Sequence, residues 1–149
     1  MLGLLIQALI DGAGLKEALL VVKAILVDQK HHEETLQAIE MAERLSDSGL
    51  PHHEAIRQLG EGWVAEEALA IAIYCSLVAK NFRHGVTIAV NHDGDSDSTG
   101  AITGNILGTI HSARKIPKDW LERLELREVI AEIADDLFEF REWGIEMYG

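Results

Sequence analysis

The residues best suited to chemistry form a short acidic run, DGDSDS, at residues 93–98. Like charges this close together repel each other unless a counter-ion lies between them. In an extended stretch alternate side chains point the same way, so Asp95 and Asp97 should present their carboxylates on one side, with Ser98 beside them at a helix start. Carboxylate and hydroxyl oxygens suit a hard cation such as Mg²⁺, Ca²⁺ or Mn²⁺. The run therefore predicts a metal site with Asp95, Asp97 and Ser98 as its ligands.

Two other interpretations of the acidic run follow from its residue types. Asp and Ser are preferred at the N-cap of a helix, and one acid near the positive end of the helix dipole is stabilising. Asp93, Asp95 and Asp97 also match the first three ligand positions of a calcium-binding helix-loop-helix. That loop needs glycine at its sixth position and glutamate at its twelfth, where this sequence has Ser98 and Gly104. The calcium loop is therefore rejected, and the simple N-cap stays as the alternative.

Helices are predicted to position this run, because apolar residues recur at spacings of three and four through most of the sequence. The predicted helices lie at residues 2–10, 15–27, 32–45, 51–59, 64–79, 98–112 and 124–140. The β-branched residues at 86–90 favour a strand locally, but one isolated strand cannot build a sheet. The predicted fold is all-α, a compact orthogonal multi-helix bundle, with residues 1–149 forming a single domain.

Small residues recur every four positions in the helix that follows the acidic run, at Gly100, Gly104, Gly108 and Ser112. Each glycine in a helix interior costs about 1 kcal/mol relative to alanine. Close approach of a neighbouring helix would offset that cost, because small side chains let two backbones meet. We therefore expect this helix to be central in the fold.

The composition restricts the classes of protein to which the chain can belong. Of its 149 residues 48% are hydrophobic and 26% are charged, which is typical of a folded domain. A net charge of −12 without clustered Lys and Arg argues against nucleic-acid binding. No bilayer-spanning or targeting segment is recognised, so we expect a cytoplasmic protein without membrane contact. The single cysteine, Cys75, is predicted to be a buried core residue rather than a nucleophile.

Histidines and glutamates elsewhere offer weaker candidate sites. The histidine pairs at residues 31–32 and 52–53 could in principle bind zinc, but adjacent histidines diverge around a helix, so solvated helix starts are the preferred interpretation. Glu66 and Glu67 precede a buried run and could face the site or complement the helix dipole. His92 flanks the acidic run and could bond a metal carboxylate or be a satisfied structural histidine.

Packing is the expected role of the three tryptophans, Trp63, Trp120 and Trp143, with one of them able to cover an interface.

Three segments resemble the ADP-ribosylglycohydrolase family, in order along the chain. They are LGEGWVAEEALAIAIYC, AVNHDGDSDSTGAITGNILG, and IPKDWLERLE followed by IAEIADDL. The GDSDSTGAI element is specific to the family. The similarity extends from about residue 15 to about residue 137. It covers nearly all of this chain and only the C-terminal half of the family's usual domain.

The resemblance implies a fold and an activity. The family is all-helical, holds two Mg²⁺ or Mn²⁺ ions, and hydrolyses the bond between ADP-ribose and a protein side chain or another leaving group. By position, the resemblance implies Asp95, Asp97 and Ser98 as metal ligands and places Gly94 and Asp95 near the ribose. Asn91 flanks the same loop and is a further substrate-binding candidate. The expected ligand is ADP-ribose or an ADP-ribosylated protein.

The family's N-terminal half carries a glycine-rich GxxxGDxxG-type opening and a second ligand run of the Ser/Thr-Asp-Asp type. The only adjacent aspartates here are Asp135 and Asp136, which leucine follows. We therefore expect a hydrolase that is incomplete on its own, either a truncated gene product or one half of a split enzyme. The alternative is a catalytically inactive ADP-ribose-binding, metal-binding or structural module of the crystallin type.

A half-domain is expected to expose apolar surface that absent helices would cover. The predicted partners are therefore a second copy of the chain, giving a homo-oligomer, or a complementing N-terminal-half chain. The predicted homo-oligomer contact consists of apolar residues of the first helix: Leu2, Leu5, Ile6 and Leu9.

Overall fold

The computed structural model describes residues 1–140, and every regular element in that part of the chain is helical. The helices are α1 (Leu2–Ile10), α2 (Leu15–Leu26), α3 (Glu33–Ser46), α4 (His52–Leu59), α5 (Ala65–Leu77), α6 (Phe82–Ala89), α7 (Ser96–His111), α8 (Lys118–Leu121) and α9 (Arg127–Glu139). The prediction of an all-α fold is confirmed. The chain forms two compact units, Met1–Ile116 with α1 to α7 and a second unit that begins at Pro117.

The core of the first unit is built around α5 and α7. Helix α5 is apolar on all sides, and its nine consecutive residues from Ala68 to Ser76 are buried. It packs against α3, α4, α6 and α7, while α7 also contacts α1. A helix that is hydrophobic all round must be enclosed by others. Helix α7 contacts α1, α5 and α6, so the central position predicted for it is confirmed.

The glycine stripe of α7 allows close approach at one of its positions. A Cβ on Gly100 would meet Val90 Cγ1 at 2.6 Å, whereas Phe82 lies 3.9 Å from the Cβ position of Gly108. Nothing lies within 4 Å of the Cβ position of Gly104, so the prediction is wrong there. The close approach at Gly100 is therefore to Val90, the C-cap residue of α6.

The segment in which β-branched residues favoured a strand belongs to α6. Asn81 caps this helix, since its Oδ1 accepts a 2.9 Å hydrogen bond from the backbone N–H of His84. Gly85 is buried against Leu107 of α7, where a Cβ would not fit. Capping and close packing therefore override the local β preference.

The apolar residues of α1 pack inside the unit. Leu5 and Leu9 are only 1% and 8% exposed, and Leu2 and Ile6 pack against the same core. The predicted homo-oligomer contact through these residues is therefore wrong, because α1 uses them against α2 and α7. The homo-oligomer itself stays a prediction.

The second unit contains α8 and α9, and no side chain of α9 is buried. Trp120 in α8 is half-buried, as expected. Trp63 in the first unit is 67% exposed, so its predicted packing is wrong, and Trp143 lies outside the described residues. No helix within residues 1–140 has the length and hydrophobicity needed to cross a membrane.

Candidate functional site

The loop at residues 91–95 joins α6 to α7 and places the acidic run at the start of α7. Asp95 is the N-cap, and its Oδ1 accepts a long hydrogen bond of 3.5 Å from the backbone N–H of Ser98. Helix α7 begins at Ser96, two residues earlier than predicted. The expectation of an extended chain from Asp95 to Asp97 is therefore wrong, because the N-cap starts the helix inside the run.

Asp95, Asp97 and Ser98 nevertheless converge, because the N-cap and the first turn of α7 bring their side chains together. Hydrogen bonding to the side chain of Asp97, and then to that of Ser98, holds the pKa of Asp95 below its ordinary value. The carboxyl groups of Asp95 and Asp97 and the hydroxyl of Ser98 are therefore neighbours at the start of α7. All the donors are oxygens, so the three side chains fit a hard divalent ion. Capping and metal binding are compatible, since a carboxylate has two oxygens.

Asp93 does not join this group, because it lines a cleft beside the loop. Within residues 1–140 no three His, Cys, Asp or Glu side chains are grouped so that they could hold a metal ion. The described chain therefore offers two carboxylates and one hydroxyl, about half of the six-oxygen shell that Mg²⁺ requires.

Two side chains hold the loop from the inside. The backbone N–H of Gly94 donates to His92 Nδ1 at 3.1 Å, so the ring proton lies on Nε2, which is 2.9 Å from Thr99 Oγ1. Thr99 is fully buried and donates its own proton to the carbonyl oxygen of Ala89 at 2.7 Å. His92 is thus a structural histidine. Thr99 was missed from the sequence, although a Thr in the first turn after an N-cap is well placed to bond the loop before it.

A second turn, at residues 60–62, is locked against the loop. The backbone N–H of Asp95 donates to the carbonyl oxygen of Glu61 at 2.8 Å. A Cβ on Gly94 would collide with that carbonyl, so this position admits only glycine. Gly62 has a φ of +84°, in the left-handed region that favours glycine. Two turns from distant parts of the sequence therefore fix the backbone of Asp95.

A cleft of about 410 Å³ opens beside the loop. Of the predicted substrate-binding residues, Asn91 and Gly94 line it and Asp95 is not among its lining residues. His53 and Arg57 from α4 also line it. The Asn91 side-chain NH₂ donates to the carbonyl oxygen of Thr87 at 2.6 Å, which leaves its Oδ1 for a ligand. Arg57 contributes one positive charge to the cleft, which the acidic residues Glu61 and Asp93 also line. Sequence reasoning missed Arg57, although it lies four residues after His53 and hence on the same helix face.

Cys75 is remote from this chemistry. Its side chain is fully buried, and burial raises the pKa of its thiol to about 12. A thiol with this pKa is not a nucleophile near neutral pH. The prediction of a buried core cysteine is confirmed.

The described part of the chain is all-α, and its acidic run lies at the start of α7. The profile of the ADP-ribosylglycohydrolase family matches residues 1–145. The chain belongs to the ADP-ribosylglycohydrolase family, as the resemblance implied.

The chain is similar to several curated proteins. An uncharacterized protein of Archaeoglobus fulgidus is 35% identical over 103 residues, which are 69% of this chain and 32% of that protein. ADP-ribosylarginine hydrolase Tri1 of Serratia proteamaculans is 35% identical over 72 residues, 48% of this chain and 20% of that enzyme. ADP-ribosylhydrolase ARH3 of Homo sapiens is 22% identical over 138 residues, 85% of this chain and 38% of that enzyme. No solved structure matches the chain. The matches span between 20% and 38% of the lengths of these relatives.

Proposed function

We propose that this chain forms the C-terminal part of a metal-dependent ADP-ribosylglycohydrolase, which hydrolyses the glycosidic bond between ADP-ribose and a protein side chain or another leaving group. Family membership supports the class of reaction. Relatives named as an ADP-ribosylarginine hydrolase and an ADP-ribosylhydrolase support the choice of ADP-ribosylated substrates. The observation that carries the proposal is the convergence of Asp95, Asp97 and Ser98 at the start of α7.

In this proposal Asp95, Asp97 and Ser98 hold one Mg²⁺ or Mn²⁺ of a two-ion site. When bound, the divalent ion polarises ribose hydroxyls and a water molecule. The task of the chain itself is to hold the ligand oxygens still, and the locked backbone of Asp95 serves that purpose. Asp97 is exposed, so an ion that it helped to hold would remain accessible to substrate.

The cleft beside the loop is proposed to receive part of the ADP-ribose. Gly94 presents backbone without a side chain, and Asn91 offers its carbonyl oxygen to a hydroxyl group. Arg57 is proposed to pair with the diphosphate, and a bound divalent ion would offset the negative charge that Glu61 and Asp93 bring to the same cleft. These contacts would bind and orient the ligand beside the metal ligands.

The remaining metal ligands and the catalytic acid are proposed to lie outside these 149 residues. The matched regions are 20% to 38% of the relatives' lengths, and the described residues provide only two clustered carboxylates. Glycoside hydrolysis needs an acid to protonate the leaving group. A further segment of the same protein or a complementing chain would supply that acid.

Manganese binding tests the metal site directly, with Mn²⁺ titrated into the chain and detected by electron paramagnetic resonance. Asp97→Asn and Asp95→Asn should each weaken Mn²⁺ affinity about tenfold or more, because each removes a charged ligand. Asparagine is as good an N-cap as aspartate, so both variants should fold. Asp93→Asn is the matched control and should bind like the wild type. Equal affinity in all four proteins would contradict the proposed ligands.

Turnover is tested by measuring ADP-ribose release from an ADP-ribosylarginine peptide in the presence of Mg²⁺. We expect no release by the chain alone and measurable release once an N-terminal half of an ADP-ribosylglycohydrolase is added. Binding of ADP-ribose and Mn²⁺ without release in any mixture would favour the inactive binding module instead. Absence of both binding and release would favour the structural module.

A further inference from the structure

The acidic pair at the start of α5 divides into two different environments. Glu67 turns back toward the turn at residues 60–62, where its Oε2 accepts the backbone N–H of Glu61 at 3.1 Å and that of Gly62 at 3.0 Å. Glu66 instead lines a separate groove beside Leu2 and other apolar residues. Both glutamates lie in the first turn of α5, where a carboxylate interacts favourably with the helix dipole. Because this interaction is available to both, it does not explain why Glu67 bonds the turn while Glu66 lines the groove.

One peptide group connects Glu67 to the metal-ligand loop. The N–H of the peptide between Glu61 and Gly62 donates to Glu67, and the carbonyl of that same peptide accepts the N–H of Asp95 at 2.8 Å. Hydrogen bonds that share a peptide group polarise one another, so each strengthens the other. The Glu67 carboxylate thereby fixes the plane of a peptide whose opposite edge holds Asp95.

The surrounding packing leaves this peptide little freedom. A Cβ on Gly60 would collide with the Glu67 side chain, and a Cβ on Gly94 would collide with the Glu61 carbonyl. Gly62 is buried, and its Cβ position lies 3.0 Å from Thr99 Cγ2 and 3.6 Å from Asp95 Cβ. The turn is therefore held between Glu67 on one side and the N-cap of α7 on the other.

We propose that Glu67 is a positioning residue for the metal site: it holds the Glu61–Gly62 peptide that sets the backbone of Asp95, and thereby the direction of the Asp95 carboxylate toward Asp97. This inference rests on the proposed function, in which Asp95 is a metal ligand. Glu67 itself does not belong to the ligand set. Removal of a direct hydrogen-bond partner of a metal ligand typically lowers metal affinity about 10- to 100-fold, and because Glu67 acts through one intervening peptide we expect the lower end of that range.

The test compares Glu67→Ala, Glu67→Gln and the matched control Glu66→Ala, with Mn²⁺ affinity measured in the full chain. Glu67→Ala should weaken Mn²⁺ binding by about tenfold or more. Glu67→Gln should recover most of the affinity, since its amide oxygen can still accept both backbone N–H groups. Glu66→Ala should bind like the wild type. Equal losses in Glu67→Ala and Glu66→Ala, or no recovery in Glu67→Gln, would overturn the proposal.

A second measurement separates this inference from the proposed function. Amide hydrogen exchange, followed by NMR without metal, should accelerate at Asp95 and Gly62 in Glu67→Ala and stay unchanged there in Glu66→Ala. If the wild type binds no Mn²⁺, the proposed function fails. If the amide of Asp95 exchanges at the same rate in Glu67→Ala as in the wild type, the positioning role of Glu67 fails. If Glu67→Ala does not fold, Glu67→Asp replaces it. Aspartate keeps the charge, but its shorter side chain does not reach the backbone N–H groups of Glu61 and Gly62.

Discussion

Helices α5 and α9 have the same length of 13 residues and opposite environments. In α5 nine consecutive residues are buried, and Ile71 and Ile73 are at most 1% exposed. In α9 no residue is buried, and Ile130 and Ile133 are 51% and 53% exposed. The sequence patterns differ in the same sense, since α5 is apolar all round whereas α9 carries an apolar stripe between acidic residues.

The candidate site lies in the first unit, beside the enclosed helix α5. The enclosed α5 gives the turn at residues 60–62 a rigid base, and through Glu61 it determines where Asp95 lies. Helix α9 belongs to the second unit, and none of its residues is buried. Substitutions of one chemical type should therefore have very different effects in the two helices.

The largest effect is expected when a core isoleucine of α5 is truncated. Ile71→Ala removes a fully buried side chain and should lower the free energy of unfolding by about 2–5 kcal/mol, because it loses buried apolar area and leaves a cavity. Urea denaturation followed by circular dichroism measures the change. A loss below about 1 kcal/mol would show that Ile71 is less enclosed than its low exposed fraction indicates.

Thiol labelling compares native and unfolded α5. With a pKa of about 12 against an ordinary value of 9.0, Cys75 should carry roughly a thousandfold less thiolate at pH 8 when the chain is folded. Iodoacetamide should therefore modify Cys75 only in urea, as mass spectrometry would detect. Rapid modification in buffer would mean that α5 opens locally without global unfolding.

Removal of the buried hydroxyl under the loop should have an intermediate effect. Thr99→Val leaves the Ala89 carbonyl and the His92 ring without their shared partner, and should cost about 1–3 kcal/mol of unfolding free energy. Thr109→Val is the control, because the hydroxyl of Thr109 bonds the Asn105 carbonyl in an exposed position. Thermal unfolding measures the melting temperatures of both variants. Similar melting temperatures would contradict the role of Thr99 in holding the loop at residues 91–95.

The smallest effect is expected in α9. Ile133→Ala removes the same atoms as the substitution in α5 from a half-exposed position, so the unfolding free energy should change by no more than about 0.5 kcal/mol. The same urea experiment measures it. A loss comparable to that of Ile71→Ala would remove the contrast between the two helices.

The sequence predicted the helices well where apolar spacing and helix-ending residues agree. The bounds of α1 match the prediction, and those of α5 differ by one residue at the start and two at the end. Local β preference misled at α6, since the cap at Asn81 and the packing of Gly85 decide its structure. The apolar first helix was assigned to an oligomer contact because its true partners, α2 and α7, could not be identified from spacing alone.

For the site, residue types were more informative than geometry. Asp95, Asp97 and Ser98 were chosen for an extended stretch, and they meet instead at the first turn of a helix. The contacts made by Glu67 could not be predicted, because they depend on how α5 packs beside α7. Interactions between residues distant in sequence leave no periodic signal in the chain.

The interlocked turns at residues 60–62 and 94–95 are separated along the chain by all of α5 and α6. The chelating geometry that we propose would therefore be a product of tertiary folding, and a short peptide carrying only the acidic run would lack it. An ion that recognises this geometry binds the native chain and not the unfolded one, and by mass action it raises the population of the native chain. Cation availability during biosynthesis would thus favour maturation of the chain.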